Sequence, residues 1–486
     1  MRAVLICAVL CIGAIDGVTQ DAPNSAQELA RVSRELQETR SELAESNRKI
    51  EELRQSLEEL RNQVQGTQPS GPEAPAAAAP SVAAADQDVS FLAAKVTELH
   101  QDKVESVSKY PVKLSGLILF NSYLNNGNLD TEDIPSLAFP RVPGITNGSL
   151  GATMNQTLLG VDVTGPKLFG ARTSADVSID FAGGSPTTAF GVTSGIIRLR
   201  TATARLDWED TTLKIGQDGL FFSPLSPTSY ATLREPALAW AGNLWVWTPQ
   251  IEIERRFPLD VASTLVLEGG LLDPLTEEAP PFQLRTATAG EASRVPAAAG
   301  RIAIDRMKAA QHPFSLGFGG YRARQKYDAF RENDSWTLNT DLKAPLGNHL
   351  EVSGEWYRGD AVGGLGGGIW TSWVFPESTD PHSAIHPLRS TGGWAQLKVI
   401  PATRFEINGA IGQDENFGRD VHFFPVPYTD YGFGVFEKNR TEIANFIYKP
   451  NSVLLFAIEY RRLFTAPAIG KSASGDQVNA AAGVRF

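Results

Sequence analysis

Residues 168–181 read LFGARTSADVSIDF, and from Ala171 onward every second side chain changes character. Thr173, Ala175, Val177, Ile179 and Phe181 fall on one parity; Arg172, Ser174, Asp176, Ser178 and Asp180 fall on the other. A period of two belongs to a strand, whose successive side chains leave on opposite faces. Here one face is apolar and the other ionic. The pattern recurs in RFEINGAI (404–411), where Phe405, Ile407 and Ile411 oppose Arg404, Glu406 and Asn408. It recurs in LLFAIEYRR (454–462), where Leu454, Phe456, Ile458 and Tyr460 oppose Glu459 and Arg461, and in VNAAAGVRF (478–486), which alternates up to Phe486.

Working outward, period-two segments lie near 113–123, 154–164, 168–181, 195–207, 211–218, 244–256, 263–271, 299–307, 314–324, 335–344, 349–359, 392–400, 403–413, 440–449, 452–463 and 477–486, about sixteen in all. Each is close to the roughly nine to eleven residues with which a tilted strand crosses a bilayer. Short connections, such as EDT after Trp208, PLGN after Ala344 and KPN after Tyr448, alternate with long ones near 124–153, 182–194, 219–243, 272–298, 360–391, 414–439 and 464–476. Tight turns at one rim and long loops at the other predict an up-and-down barrel whose last strand closes on its first. A secreted sandwich or propeller would need a second layer over so many apolar faces, and no further elements supply one; lipid is the simpler partner. Aromatic residues near strand ends, Trp208, Phe257, Phe314, Trp336, Trp356, Trp394, Tyr448 and Tyr460, are expected in interfacial girdles.

The first twenty residues carry Arg2, an apolar run to about Ile15 and then small and polar residues, the order of a secretory signal peptide (1–20). Leu10 before Cys11 disfavours a lipid anchor there. Within 26–66, Leu29, Leu36, Leu43, Ile50, Leu57 and Val64 recur every seventh residue, with Val32, Leu53 and Leu60 on the second seam position. This predicts a coiled coil that needs a partner helix. A Pro- and Ala-rich linker (67–88) and a short helix (89–108) lead into the barrel at 110–486. The 486-residue chain has a net charge of -11, which argues against nucleic acid as a partner, and its only cysteines are Cys7 and Cys11.

With the apolar parity on lipid, the lumen receives Lys113, Arg172, Asp176, Asp180, Arg198, Arg200, Lys214, Glu252, Glu254, Arg301, Asp305, Glu351, Glu355, Lys398, Arg404, Glu406, Glu459 and Arg461. Charges of both signs imply a field across the pore, and such charges set selectivity. Arg198 and Arg200 are the sharpest anion hint, because guanidinium forks suit carboxylate and phosphate. The plainer reading is that these charges are paired with neighbouring acids. Arg322 and Arg324 fall on the lipid parity, which requires either a bulge or a place above the membrane. A serine–histidine hydrolase is disfavoured, since the histidines fall mainly in helix, turns and loops. DPHSAIHP offers Asp380, His382 and His386 as a weak metal set; no cofactor is expected.

The chain resembles the trimeric porins of Gram-negative outer membranes, and most closely the DcaP-like porins, through VKLSGLILFNSYL (112–124), LKIGQDGLFFSP (213–224) and the final GVRF. The resemblance implies a homotrimer in outer-membrane lipid, a periplasmic coiled coil, and passive diffusion of small hydrophilic solutes, to which the Arg198 and Arg200 pair adds anionic ones. It implies that residues 219–243 fold inward as a constriction bearing Arg234 and Glu235, and that Phe486 is read by the barrel-insertion machinery. The rival reading from another class is a tether, with the coiled coil reaching peptidoglycan and the barrel as its anchor.

Overall fold

The alternating segments become strands in a computed structural model that describes residues 110–184, 195–276, 287–307, 313–327, 329–376, 382–424 and 434–486. The expected signal peptide, coiled coil, linker and short helix lie outside the described residues. In chain order the strands are β1 (Val112–Asn126), β2 (Asn128–Leu129), β3 (Ala138–Phe139), β4 (Gly148–Thr153), β5 (Leu158–Leu168), β6 (Ala171–Asp180), β7 (Arg198–Asp207), β8 (Thr211–Asp218), β9 (Thr248–Pro258), β10 (Ser263–Leu272) and β11 (Ala297–Met307). They continue with β12 (Pro313–Lys326), β13 (Glu332–Pro345), β14 (Leu350–Asp360), β15 (Trp373–Val374), β16 (His386–Pro387), β17 (Arg389–Ala402), β18 (Phe405–Asn416), β19 (Phe436–Tyr448), β20 (Leu454–Pro467) and β21 (Ala473–Arg485). Two one-turn helices, α1 (Ala289–Ala292) and α2 (Gly418–Val421), sit in loops.

Seventeen strands form one antiparallel sheet, and β4 and β5 share a single position because both pair with β1. The result is a closed barrel of sixteen positions. Closure is made by β1 and β21, with Phe120 opposite Ala482 and Leu124 opposite Val478, so both edges of the sheet are paired. Phe486 continues that seam: its amide donates to Gly116 O at 3.1 Å and its carbonyl accepts from Gly116 N at 2.9 Å. Gly116 leaves room for the Phe486 ring, since a Cβ there would stand 2.5 Å from it and displace it. Among the described residues no helix is long and apolar enough to cross a membrane.

Burial confirms the parity. On β21 Val478, Ala480 and Val484 are exposed outward while Gln477, Asn479 and Ala481 are buried inward; β18 and β20 repeat this with Ile407, Ile411, Phe456 and Ile458 outward. Three expectations need correction, and one open alternative is resolved. The segment expected at 154–164 is instead β4 and β5 around a break at 154–157. On β7 the register slips between Ser178 and Ile179 of its partner, leaving Arg200 as an extra residue. Arg198 and Arg200 therefore face inward, as expected, but Thr203, Arg205 and Asp207 face inward as well. Trp394 is no girdle residue: it is buried inward against Leu238, Ala410 and Ile443. Arg322 and Arg324 have no bulge beneath them and point outward, both paired to Asp334.

Candidate functional site: the inward segment and the lumen wall

Residues 219–247, between β8 and β9, run through the lumen. A loop in that position exposes peptide groups that the strands cannot satisfy, because strand backbones are consumed by the sheet ladder. Inward side-chain amides satisfy them instead. Asn121 donates to Tyr230 O at 2.9 Å, Asn445 to Thr228 O at 2.8 Å, Asn439 to Trp240 O at 2.8 Å and Gln250 to Gly219 O at 2.7 Å. Gln396 accepts from Thr228 N at 2.7 Å, and Asn339 donates to Phe222 O. Gln156, placed inward by the break between β4 and β5, donates to Ala231 O at 2.7 Å and accepts from Leu233 N.

Two inward carboxylates pin the same segment. Glu355 accepts from Ser223 Oγ at 2.7 Å and Leu225 N at 2.8 Å; Glu459 accepts from Ser229 Oγ at 2.6 Å and pairs with Arg461 at 3.0 Å. Apolar inward residues complete the seat. Phe222 stacks on Tyr321 at 5.5 Å, Tyr230 and Leu233 pack on Leu117, Leu119, Ile447 and Leu455, and Leu238 packs on Trp394. Gly242 crosses the wall most closely: its φ is +92° and a Cβ would meet Gly393 O at 2.2 Å. Only glycine tolerates both conditions.

The rest of the wall carries ion pairs, some wet and some buried. Asp162, Arg172 and Arg205 are exposed or nearly so, and Arg205 pairs with Asp176 at 3.4 Å. Lys214 contacts Glu252 at 2.8 Å and Asp218 at 2.9 Å. Arg301 bridges Glu268 and Asp341, each at 2.7 Å, and Glu406 takes Lys398 at 3.5 Å and Lys449 at 3.4 Å. A cleft of about 300 Å³ lies between Lys214 and Asp218 on the wall and Leu220, Trp245 and Trp247 on the segment.

Arg198 forks onto Asp180 at 2.7 and 3.1 Å and also donates to Arg234 O; Arg200 donates to Leu233 O at 2.9 Å, with Asp180 3.8 Å away. Both guanidinium groups lie over Trp247, at 5.1 and 4.7 Å from the ring centre. Arg234 pairs with Asp133 at 3.1 Å and reaches Glu235 at 3.9 Å. Burial pushes the Glu235 carboxyl above its ordinary value despite Arg234 beside it.

The expected set is thus divided. Arg198, Arg200, Lys214, Arg234 and Glu235 gather around the inward segment; Asp176, Arg301 and Glu406 line the wall; Arg461 is buried beneath the segment. Arg172 and Arg404 stand at the short-turn rim, Arg172 opposite Lys167 and Arg404 in the turn before β18. Asp380 lies outside the described residues, and the two histidines take separate partners, His382 the Phe330 ring at 4.4 Å and His386 Asp420 at 3.1 Å. Among the described residues Glu252, Glu254 and Glu268 come together instead, already met by Lys214, Arg256 and Arg301. The seat of the segment was not foreseen. Its signal was the row of Asn and Gln on the inward parity.

No protein-family model and no curated protein matches the chain. Among solved structures, the outer membrane channel DcaP of Acinetobacter baumannii superposes with a TM-score of 0.58 at 16% identity, covering 78% of this chain and 99% of that one. The chain has the fold of this channel. An anion-selective porin from Comamonas acidovorans (TM-score 0.46, 11% identity, 78% and 100% covered) and OprB of Pseudomonas putida (TM-score 0.46, 8% identity, 82% and 97% covered) match less closely and carry no part of the argument. The likeness to DcaP extends over the barrel fold.

Proposed function

We propose that this protein is an outer-membrane porin, a water-filled channel through which small hydrophilic solutes diffuse passively. The observation that carries this reading is the inside of the barrel. A sixteen-position ring is wide enough to hold water, its inward parity carries ion pairs, and a pinned segment narrows it. The outward parity is apolar and rimmed by aromatics, with Phe405, Tyr448 and Phe456 stacked across three strands, as a lipid-facing band requires. The fold shared with an outer membrane channel supports the same location.

Selectivity follows from how the charges are paired. Most inward cations face a carboxylate within 4 Å, so the field is short-ranged and the ion preference modest. Arg200 has the longest such pairing of the cations around the cleft, at 3.8 Å from Asp180, and through it anions are favoured. The protein works as a homotrimer with its heptads in the periplasm, and Phe486 at the closing seam is the mark read by the insertion machinery. Single-channel recording in planar bilayers tests the reading: stepwise ohmic conductance is expected, and an inserted protein that passes no ions overturns it in favour of the tether.

A further inference from the structure

The outward face is not uniformly suited to lipid. On β1 it carries no charge from Leu114 to Leu124, a run that covers roughly 24 Å of height for a tilted strand. On β19 the run is cut short. Above the girdle residue Tyr448 come Phe446 and Ala444, and then Glu442, only six residues up, roughly 14 Å into an apolar band about 25 Å tall. Its neighbours on the same face are also charged: Arg440 lies 3.3 Å from Glu442, Arg462 stands opposite Glu442 in register, and Asp476 accepts from Arg462 at 3.3 Å and from Tyr460 Oη at 2.7 Å. All point outward, with Glu442 43% and Arg462 52% exposed. Arginine can extend its head toward the headgroups, but glutamate is too short to do so.

We infer that the outward face of β19–β21 is covered by a second copy of this chain, packed over Glu442 and Arg462. Two cations and two anions leave this patch without net charge, so it does not select an anionic headgroup; it complements a protein surface of both signs. A cleft of about 400 Å³ lined by Gln413, Lys438, Arg440 and Phe464 opens directly above it, room for side chains of the neighbouring copy. Ala444, two residues from Glu442 on the same face, permits close approach. The chain enters the barrel on β1, the strand next to β21, and its upstream sequence carries the seven-residue repeat expected of helices that pair with another copy. The inference rests on the membrane reading above and deepens the trimer by naming the face that meets the neighbour.

The test uses the full chain with Cys7 and Cys11 replaced by Ser, reconstituted in bilayers. A fluorophore is placed at Ala444→Cys or, as a lipid-facing reference, at Leu338→Cys, and quenching by brominated-chain lipid is read together with the native mass. The expected result is strong quenching at 338, several-fold weaker quenching at 444, and a mass that is a multiple of one chain; Glu442→Arg then raises quenching at 444 and yields monomers. Equal quenching at both sites overturns the inference, as does protection of 444 in a particle of one chain, or an unchanged mass in Glu442→Arg. Absence of quenching at 338 overturns the membrane reading itself. The 444 measurement keeps the question open to refutation should Glu442→Arg fail to fold.

Discussion

The wall under the inward segment and the wall facing the cleft are built on the same alternation, yet they behave as different materials. Under the segment, Asn339, Glu355, Gln396, Asn445 and Glu459 are buried, and each holds a peptide or hydroxyl group of residues 219–247 or a neighbour that does. Away from the segment, Arg205 pairs with the partly exposed Asp176, and at the cleft Lys214 pairs with Glu252 and Asp218. The difference teaches that inward parity fixes only direction. Whether an inward polar group acts as a structural clamp or as part of the solute path depends on what fills the space in front of it.

The comparison breaks most completely if the segment is unseated. Gly242→Val adds a side chain at positive φ and against Gly393 O, a strain of about 3 kcal/mol or more. Single-channel conductance is expected to rise severalfold while the barrel stays folded; an unchanged conductance would mean that the segment does not limit flow. Glu355→Ala is the next largest change. It leaves Ser223 and Leu225 without their acceptor at a cost of about 2–3 kcal/mol, and open-channel noise should increase, whereas Arg205→Gln on the wet wall changes stability by no more than about 0.5 kcal/mol.

Arg200→Gln sharpens the comparison by removing the charge while keeping a side-chain amide that can still donate to Leu233 O. The reversal potential in a salt gradient should move toward cation preference by a few millivolts, with conductance nearly constant; no movement would remove Arg200 from the solute path. A smaller effect belongs to pH. Burial raises the Glu235 carboxyl above its ordinary 4.5, so its ionisation opposes folding and that cost is relieved as pH falls through the raised value. Protonation also removes one of the two negative charges beside Arg234, so anion preference should grow on acidification in the parent and less so in Glu235→Gln. The smallest effect lies outside the lumen. Although burial pushes Asp420 upward, hydrogen bonds from Arg389 and His386 hold it down at about 2. Its contribution is present above the ordinary 3.8 and lost only as pH falls through about 2, which proteolysis of the loop around α2 would report.

Much of this architecture was legible because a strand with one lipid face and one wet face writes its orientation into every second residue. LFGARTSADVSIDF, LLFAIEYRR and VNAAAGVRF declare their parity, and the strand positions and closing seam follow from it. The inward apolar residues Leu119, Trp394 and Ile447 were not legible, because alternation alone cannot announce a dry patch inside a wet lumen. Gln156 was equally hidden: its role depends on a break at 154–157 that a period of two reads through. Arg205 and Asp207 escaped because a single extra residue at Arg200 reverses the parity of everything after it.

By itself, then, the sequence determined the all-β class, the sixteen-position ring, the faces of most strands and the closure of β21 on β1, since each rests on local periodicity and turn length. Only the tertiary structure decided which inward polar groups are sealed under the segment and where residues 219–247 lie. Those are contacts between residues a hundred or more positions apart, such as Asn121 with Tyr230 and Glu459 with Ser229, and no local pattern encodes them.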